Sequence, residues 1–129
     1  MTALSTLSKL LCGVKHKDPL LASSVKILAE SSPQWKEHAD GQLGTINFYY
    51  WFHGTHALFQ QGGAEWKSWN KSMTAALLKS QRTDGEESGS WDPIDDWGRV
   101  AGRVYSTALG ALTLEVYYRY PRAKEGAGL

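Results

Sequence analysis

The chain has 129 residues, 42% of them apolar and 21% charged, proportions that fit one globular domain and exclude a disordered tail or a fibrous repeat. Fourteen Lys and Arg against thirteen Asp and Glu leave a formal charge of +1, too balanced for the basic stripe of a nucleic-acid or membrane-surface binder. Cys12 is the single cysteine, which excludes an internal disulfide framework and a multi-cysteine zinc site, and its expected place is a small buried apolar position.

In chain order, Met1 to Gly13 is apolar with Ser and Thr and lacks the basic opening of a secretory signal, so it reads as a helix and leaves cytoplasm as the default compartment. No apolar run approaches the ~18 residues that a membrane span needs. Asp18-Pro19 opens a second helix, with Asp18 as N-cap and Pro19 at the first helical position; Leu20, Leu21, Val25 and Leu28 form its stripe, and Ser31-Ser32-Pro33 ends it. Ile46 to Gln60 is apolar nearly all round and stops at Gly62-Gly63. Ala64 to Ser80 is amphipathic, with Trp66, Trp69, Met73, Ala76 and Leu77 opposite Lys67, Asn70, Lys71 and Lys79. Gly102 to Arg119 is again apolar nearly all round. Two long connections remain, 31–45 and 81–102; each carries tryptophan and is expected to be pinned by its own packing. The helical domain therefore covers residues 1–122, followed by a disordered glycine- and alanine-rich tail, 123–129.

These segments repeat. Thr2-Ala3-Leu4, Thr55-His56-Ala57-Leu58 and Thr107-Ala108-Leu109 place their threonines 53 and 52 positions apart, and Ile27-Leu28-Ala29 precedes Leu77-Leu78-Lys79 by 50. A period near 50 with two helices in it predicts stacked helical hairpins, because one hairpin cannot bury its own apolar face. Segments apolar all round form an inner layer and amphipathic ones an outer layer, in the order inner, outer, inner, outer, inner. Small residues Gly54, Ala57, Ala108, Gly110 and Ala111 are expected to let inner backbones approach closely.

Gln81-Arg82-Thr83-Asp84-Gly85, followed by Gly89-Ser90-Trp91, resembles the Gln-Trp signature of squalene–hopene cyclases, and Gly102 to Leu109 resembles the inner helix after it. The run from Tyr49 to Tyr120 is similar to the last repeats of bacterial, particularly planctomycete, prenyltransferase/squalene-oxidase repeat proteins. The resemblance implies an all-α fold of the α/α-toroid type, with inner helices around a cavity. Five helices cannot close such a ring. It therefore implies either the C-terminal portion of a longer protein or a short relative completed by self-association, most simply as a two-fold dimer. By the same resemblance, Gln81, Gly85 and Trp91 hold a structural role: the amide caps backbone groups and the indole stacks over the junction between an outer helix and the next inner one.

The chemistry of the family is not visibly equipped. Asp92-Pro93-Ile94-Asp95-Asp96 has one residue too many for the cyclase Asp-x-Asp-Asp acid motif, and neither the prenyltransferase Asp-x-Cys zinc pattern nor a thioester string occurs, so no catalytic residue, metal or cofactor is assigned. Asp84, Glu86, Glu87, Asp92, Asp95 and Asp96 crowd into thirteen positions. They admit a calcium site or, as favoured, a solvated loop tied by Arg82, Arg99 and Arg103. His53 and His56, at i and i+3, admit a metal or a core role, and the core role is favoured. Tyr49, Tyr50, Trp51, His53, His56 and Tyr105 are the candidate cavity-lining residues, where aromatic faces would meet an apolar or cationic ligand; packing is the commoner use of such rings. The reading is thus a non-catalytic helical repeat module that binds an apolar ligand or a protein partner, itself included. The alternative is part of an isoprenoid cyclase or prenyltransferase whose acid lies outside the chain.

Overall fold

The structure, a computed structural model, describes residues 1–37, 44–119 and 121. Among these every regular element is a helix: α1 (Thr2–Leu11), α2 (Pro19–Glu30), α3 (Phe48–Gln61), α4 (Gly63–Ser80), α5 (Asp96–Leu114) and the single turn α6 (Val116–Arg119). The helix starts follow local chemistry. Asp18 accepts a hydrogen bond from Leu20 N at 2.9 Å with Pro19 in the first turn, and Asn47 accepts one from Tyr50 N at 2.8 Å to open α3. Between α3 and α4 the chain passes Gly62 and Gly63 at φ 73° and 74°, a left-handed corner that glycine adopts without Cβ strain.

The helices form two layers. α3 packs on α1 on one side and α5 on the other, making an inner row, while α2 and α4 pack on each other and on α1 and α3 respectively. α1, α3 and α5 thus share one row, and α2 and α4 the other. The core runs between the layers through Leu21, Val25 and Leu28 of α2, Phe48, Trp51 and Leu58 of α3, and Trp69, Met73 and Leu77 of α4. The outer helix α4 buries the five residues of its predicted stripe.

Burial sharpens the repeat register. Leu21, Val25 and Leu28 recur as Trp69, Met73 and Ala76, and Ala3, Thr6 and Leu10 as Trp51, Gly54 and Leu58, all at an offset of 48 (69 − 21, for instance). The Thr2–Thr55 and Ile27–Leu77 matches are therefore out of phase: Ile27 is exposed and Leu77 buried. Threonine and leucine recur by composition, whereas buried spacing is set by the layer contact.

Four further expectations are corrected. Asp95 caps a helical stretch that begins at Asp96, ahead of the expected start, and at Gly102, with φ 82° and ψ −179°, the chain leaves helical geometry, so the expected start marks the junction of two helical stretches within α5. Nor is α5 buried nearly all round. Its buried residues are the small ones Gly98, Ser106, Gly110 and Thr113, since among the described residues it packs chiefly on α3. Leu20 faces outward, because the α2 stripe needs only every third or fourth residue. Cys12 is exposed, since α1 ends at Leu11 and releases it from the packed face. The tail 123–129 and positions 38–43 of the first connection lie outside the described residues.

Candidate functional site

Three consecutive α3 positions expected to line one cavity are sent in different directions, because neighbouring residues on a helix sit about 100° apart. Trp51 is buried in the core against Phe48 and Trp35, with ring centroids 5.7 and 6.1 Å away. Tyr50 turns to the outer layer, edge-on to Trp69 at 5.7 Å, with its hydroxyl donating to Ser31 O at 3.2 Å. Burial pushes the Tyr50 phenol up to about 12. Tyr49 takes the remaining side and stacks on His53 at 4.5 Å. The expected cavity set is thus split by helical geometry, and only Tyr49, His53, His56 and Tyr105 remain as an inner-side group.

That group is aromatic and neutral. Phe52 touches both imidazoles, at 5.1 Å from His53 and 4.4 Å from His56. His56 is buried and donates from Nδ1 to Phe52 O at 2.8 Å, which leaves the proton on Nδ1 because a carbonyl only accepts. Burial lowers the pKa of both histidines; the nearby His56 lowers His53 further, and the Phe52 carbonyl partly opposes the drop at His56. Both are therefore uncharged at pH 7. Tyr105 of α5 lies within electrostatic reach of Tyr49 and Asp95, and burial raises its phenol first of all. Among the described residues no three His, Cys, Asp or Glu side chains converge as metal ligands. A groove of about 480 Å³ runs away from this group, between Pro33–Trp35 and α4, lined by Ala75, Ala76 and Lys79.

The connection after α4 is pinned, as expected. Trp91 is buried, donates from Nε1 to Leu77 O at 2.9 Å, and lays its ring so close to Gly110 that a Cβ there would sit 2.8 Å from Cε3. It thereby ties the end of α4 to α5. Gln81 donates to Gly89 O at 2.9 Å across a hairpin closed by Arg82 N to Ser90 O and turned by Gly85 at φ 65°. Arg103 reaches Asp92 at 2.7 Å and Glu87 at 2.9 Å, and Arg82 joins Asp92 at 3.1 Å. Two of the six carboxylates, Glu87 and Asp92, are therefore tied by Arg82 and Arg103, and Arg99 makes no ion pair among the described residues. Trp97, the other tryptophan of the second connection, stands exposed on α5 and does not contribute to the pinning.

Two features were not foreseen. Asp95, only 1% exposed, accepts from Gly98 N at 2.9 Å and from Phe48 N at 3.2 Å, so one carboxylate caps α5 and meets the start of α3. Its signal was the Asp–Asp pair before an apolar run, readable as a cap for α5 but silent about α3. Trp69 lies on Gly54, where a Cβ would fall 2.6 Å from Cζ2, and donates to Thr55 Oγ1 at 2.8 Å. Gly54 and Gly110 thus receive indoles rather than neighbouring backbones.

The outer side of α5 is the other conspicuous surface. Trp97, Val100 and Val104 are 59, 86 and 83% exposed, and Tyr118 beyond them 91%. Trp97 and Val100 precede the break at Gly102, Val104 follows it, and Tyr118 lies on α6, while Ser106, Gly110 and Thr113 of α5 are buried.

The fold and these surfaces define a two-layer all-helical protein with an open inner row. No family model matches the chain, and no curated protein or solved structure matches it either. No described helix is long and apolar enough to cross a membrane.

Proposed function

We propose that the chain is a helical repeat packing module that docks on another protein through the outer side of α5. The observation that carries this reading is the exposure of Trp97, Val100 and Val104 on α5 and of Tyr118 on α6, while Gly98, Ser106, Gly110 and Thr113 of α5 are buried. Contiguous apolar side chains of this size on a surface mark an interaction site. Oxidative footprinting inside cells tests it. Trp97 and Tyr118 are expected to be protected relative to the purified chain at nanomolar concentration, and equal reactivity in both states would overturn the reading.

A second reading, a portion of an isoprenoid cyclase or prenyltransferase-type ring, draws on Tyr49, Phe52, His53 and Tyr105. A group of rings and neutral imidazoles on one side of α3 suits an apolar or cationic chain. Incubation with squalene or prenyl diphosphates and mass spectrometry decides it, since a cyclised or transferred product supports this reading over simple docking.

A further inference from the structure

We propose that the groove between the first connection and α4 is a binding site for a small organic acid, one with an apolar body and a single carboxylate. The groove shares no residue with the outer side of α5, so its occupancy is independent of the docking reading.

The groove is a gap between two packed walls. One wall is α4, which presents Ser72, Ala75, Ala76, Lys79 and Ser80, positions that share a face because they recur every third or fourth residue. The large residues of this helix, Trp69, Met73 and Leu77, are buried in the core, and apart from Lys79 the groove receives only small side chains from it. The other wall is Pro33–Trp35. Thr45 holds that segment by donating from Oγ1 to Gln34 O at 2.7 Å and from its N–H to Lys36 O at 2.8 Å, and the Trp35 ring leans on Phe48 and Trp51 at 5.9 and 6.1 Å. Walls tied to the core in this way keep the gap open. Its volume of about 480 Å³ falls within the roughly 300–1,000 Å³ of small-molecule sites.

Chemistry along the groove selects the ligand. Among the described residues that line it, Lys79 is the one that carries charge, and it makes no ion pair with any of them or with another described residue. The C-terminal end of a helix carries partial negative charge that would favour a cation, but here the carbonyls beside the groove are engaged. Ala76 O accepts from the Ser80 hydroxyl at 2.7 Å, and Leu77 O accepts from that hydroxyl at 3.1 Å, from Gln81 N at 3.1 Å and from Trp91 Nε1 at 2.9 Å. What remains is one unpaired ammonium at the end of an apolar trough. Trp35 directs its Nε1 to Glu37 at 3.4 Å, so it offers a ligand ring carbon rather than a donor. From Ser72 to Lys79 the helix rises about 10 Å. A carboxylate at Lys79 therefore leaves that length for an apolar body over Ala75, Ala76 and Trp35.

Isothermal titration calorimetry of the whole chain with decanoate and with decyltrimethylammonium, which share a tail and differ in the sign of the head, tests the proposal. Circular dichroism checks the fold of each variant. Decanoate is expected to bind at one site per chain, about fivefold tighter than decyltrimethylammonium, as one exposed charge allows. Lys79→Glu should reverse that preference, because it reverses the charge at the end of the groove. Ala75→Trp, at an exposed position that accepts bulk without disturbing the core, should weaken decanoate tenfold or more by filling the gap. No saturable heat from decanoate up to about 5 mM overturns the proposal, as does equal affinity for the two heads or a preference that Lys79→Glu leaves unchanged. Decanoate binding that survives Ala75→Trp lies elsewhere on the surface and overturns it too.

Discussion

α3 and α5 have much the same apolar composition and very different surroundings. α3 lies between α1, α4 and α5, so that Thr55, His56, Leu58, Phe59 and Gln60 are all buried. α5 packs chiefly on α3, and among the described residues its valines are exposed while its buried positions are Gly, Ser and Thr. An apolar helix is buried according to how many neighbours it has, and its composition alone does not supply them.

The contrast is broken most strongly at the indole contacts. Trp69→Ala removes a ring buried between α3 and α4 together with its bond to Thr55, and a loss of about 3–5 kcal/mol is expected from urea denaturation. The bulky outward residue Val104, replaced by Ser, should change stability by less than about 0.5 kcal/mol at concentrations where the chain is monomeric. A comparable loss at both positions would mean that α5 is enclosed after all.

Next come the glycines beneath the rings. Gly54→Ala and Gly110→Ala each place a methyl group within 3 Å of an indole, and each should cost about 1–3 kcal/mol through displaced packing. An unchanged midpoint for either would show that its indole slides aside without strain.

The smallest effects concern two carboxylates three residues apart. At Asp92 burial acts to raise the pKa, but hydrogen bonds and charge from Arg103 and Arg82 outweigh it and hold the group below the usual carboxylate value. At Asp95 burial dominates over the amides of Gly98 and Phe48, and the pKa is raised. The signs are therefore opposite. Asp92 contributes stability that is present above its unfolded pKa and lost as the pH falls through the lower folded one. Asp95 contributes stability that is present below its unfolded pKa and lost as the pH rises through the higher folded one. Urea midpoints of Asp92→Asn and Asp95→Asn against wild type from pH 3 to 7 test this. The gap at Asp92→Asn should widen in favour of wild type as the pH rises, and the gap at Asp95→Asn should move in favour of the variant. Gaps moving the same way would mean that Asp95 is solvated and that its tie to α3 is loose.

Much of this was legible in the residues. The helix class, the caps Asp18 and Pro19, the stop at Gly62-Gly63 and the buried stripe of α4 all depend on spacing within a few positions, where backbone geometry dictates the outcome. Apolar coverage was a poorer guide, since α5 reads as apolar nearly all round and yet leaves Val100 and Val104 exposed. The candidate cavity was less so: Tyr49, Tyr50 and Trp51 are adjacent in the chain, and adjacency on a helix is dispersal in space.

What the sequence determined by itself, then, is the local structure, since hydrogen bonding, capping and periodicity act over a turn or two of helix. Only the tertiary structure decided that the repeat register is 48 in the first two hairpins, that Asp95 joins the starts of α3 and α5, and that α5 is left half bare. Those outcomes depend on which surfaces meet across 40 or more residues, and contact between distant surfaces is fixed by the shape of the whole fold.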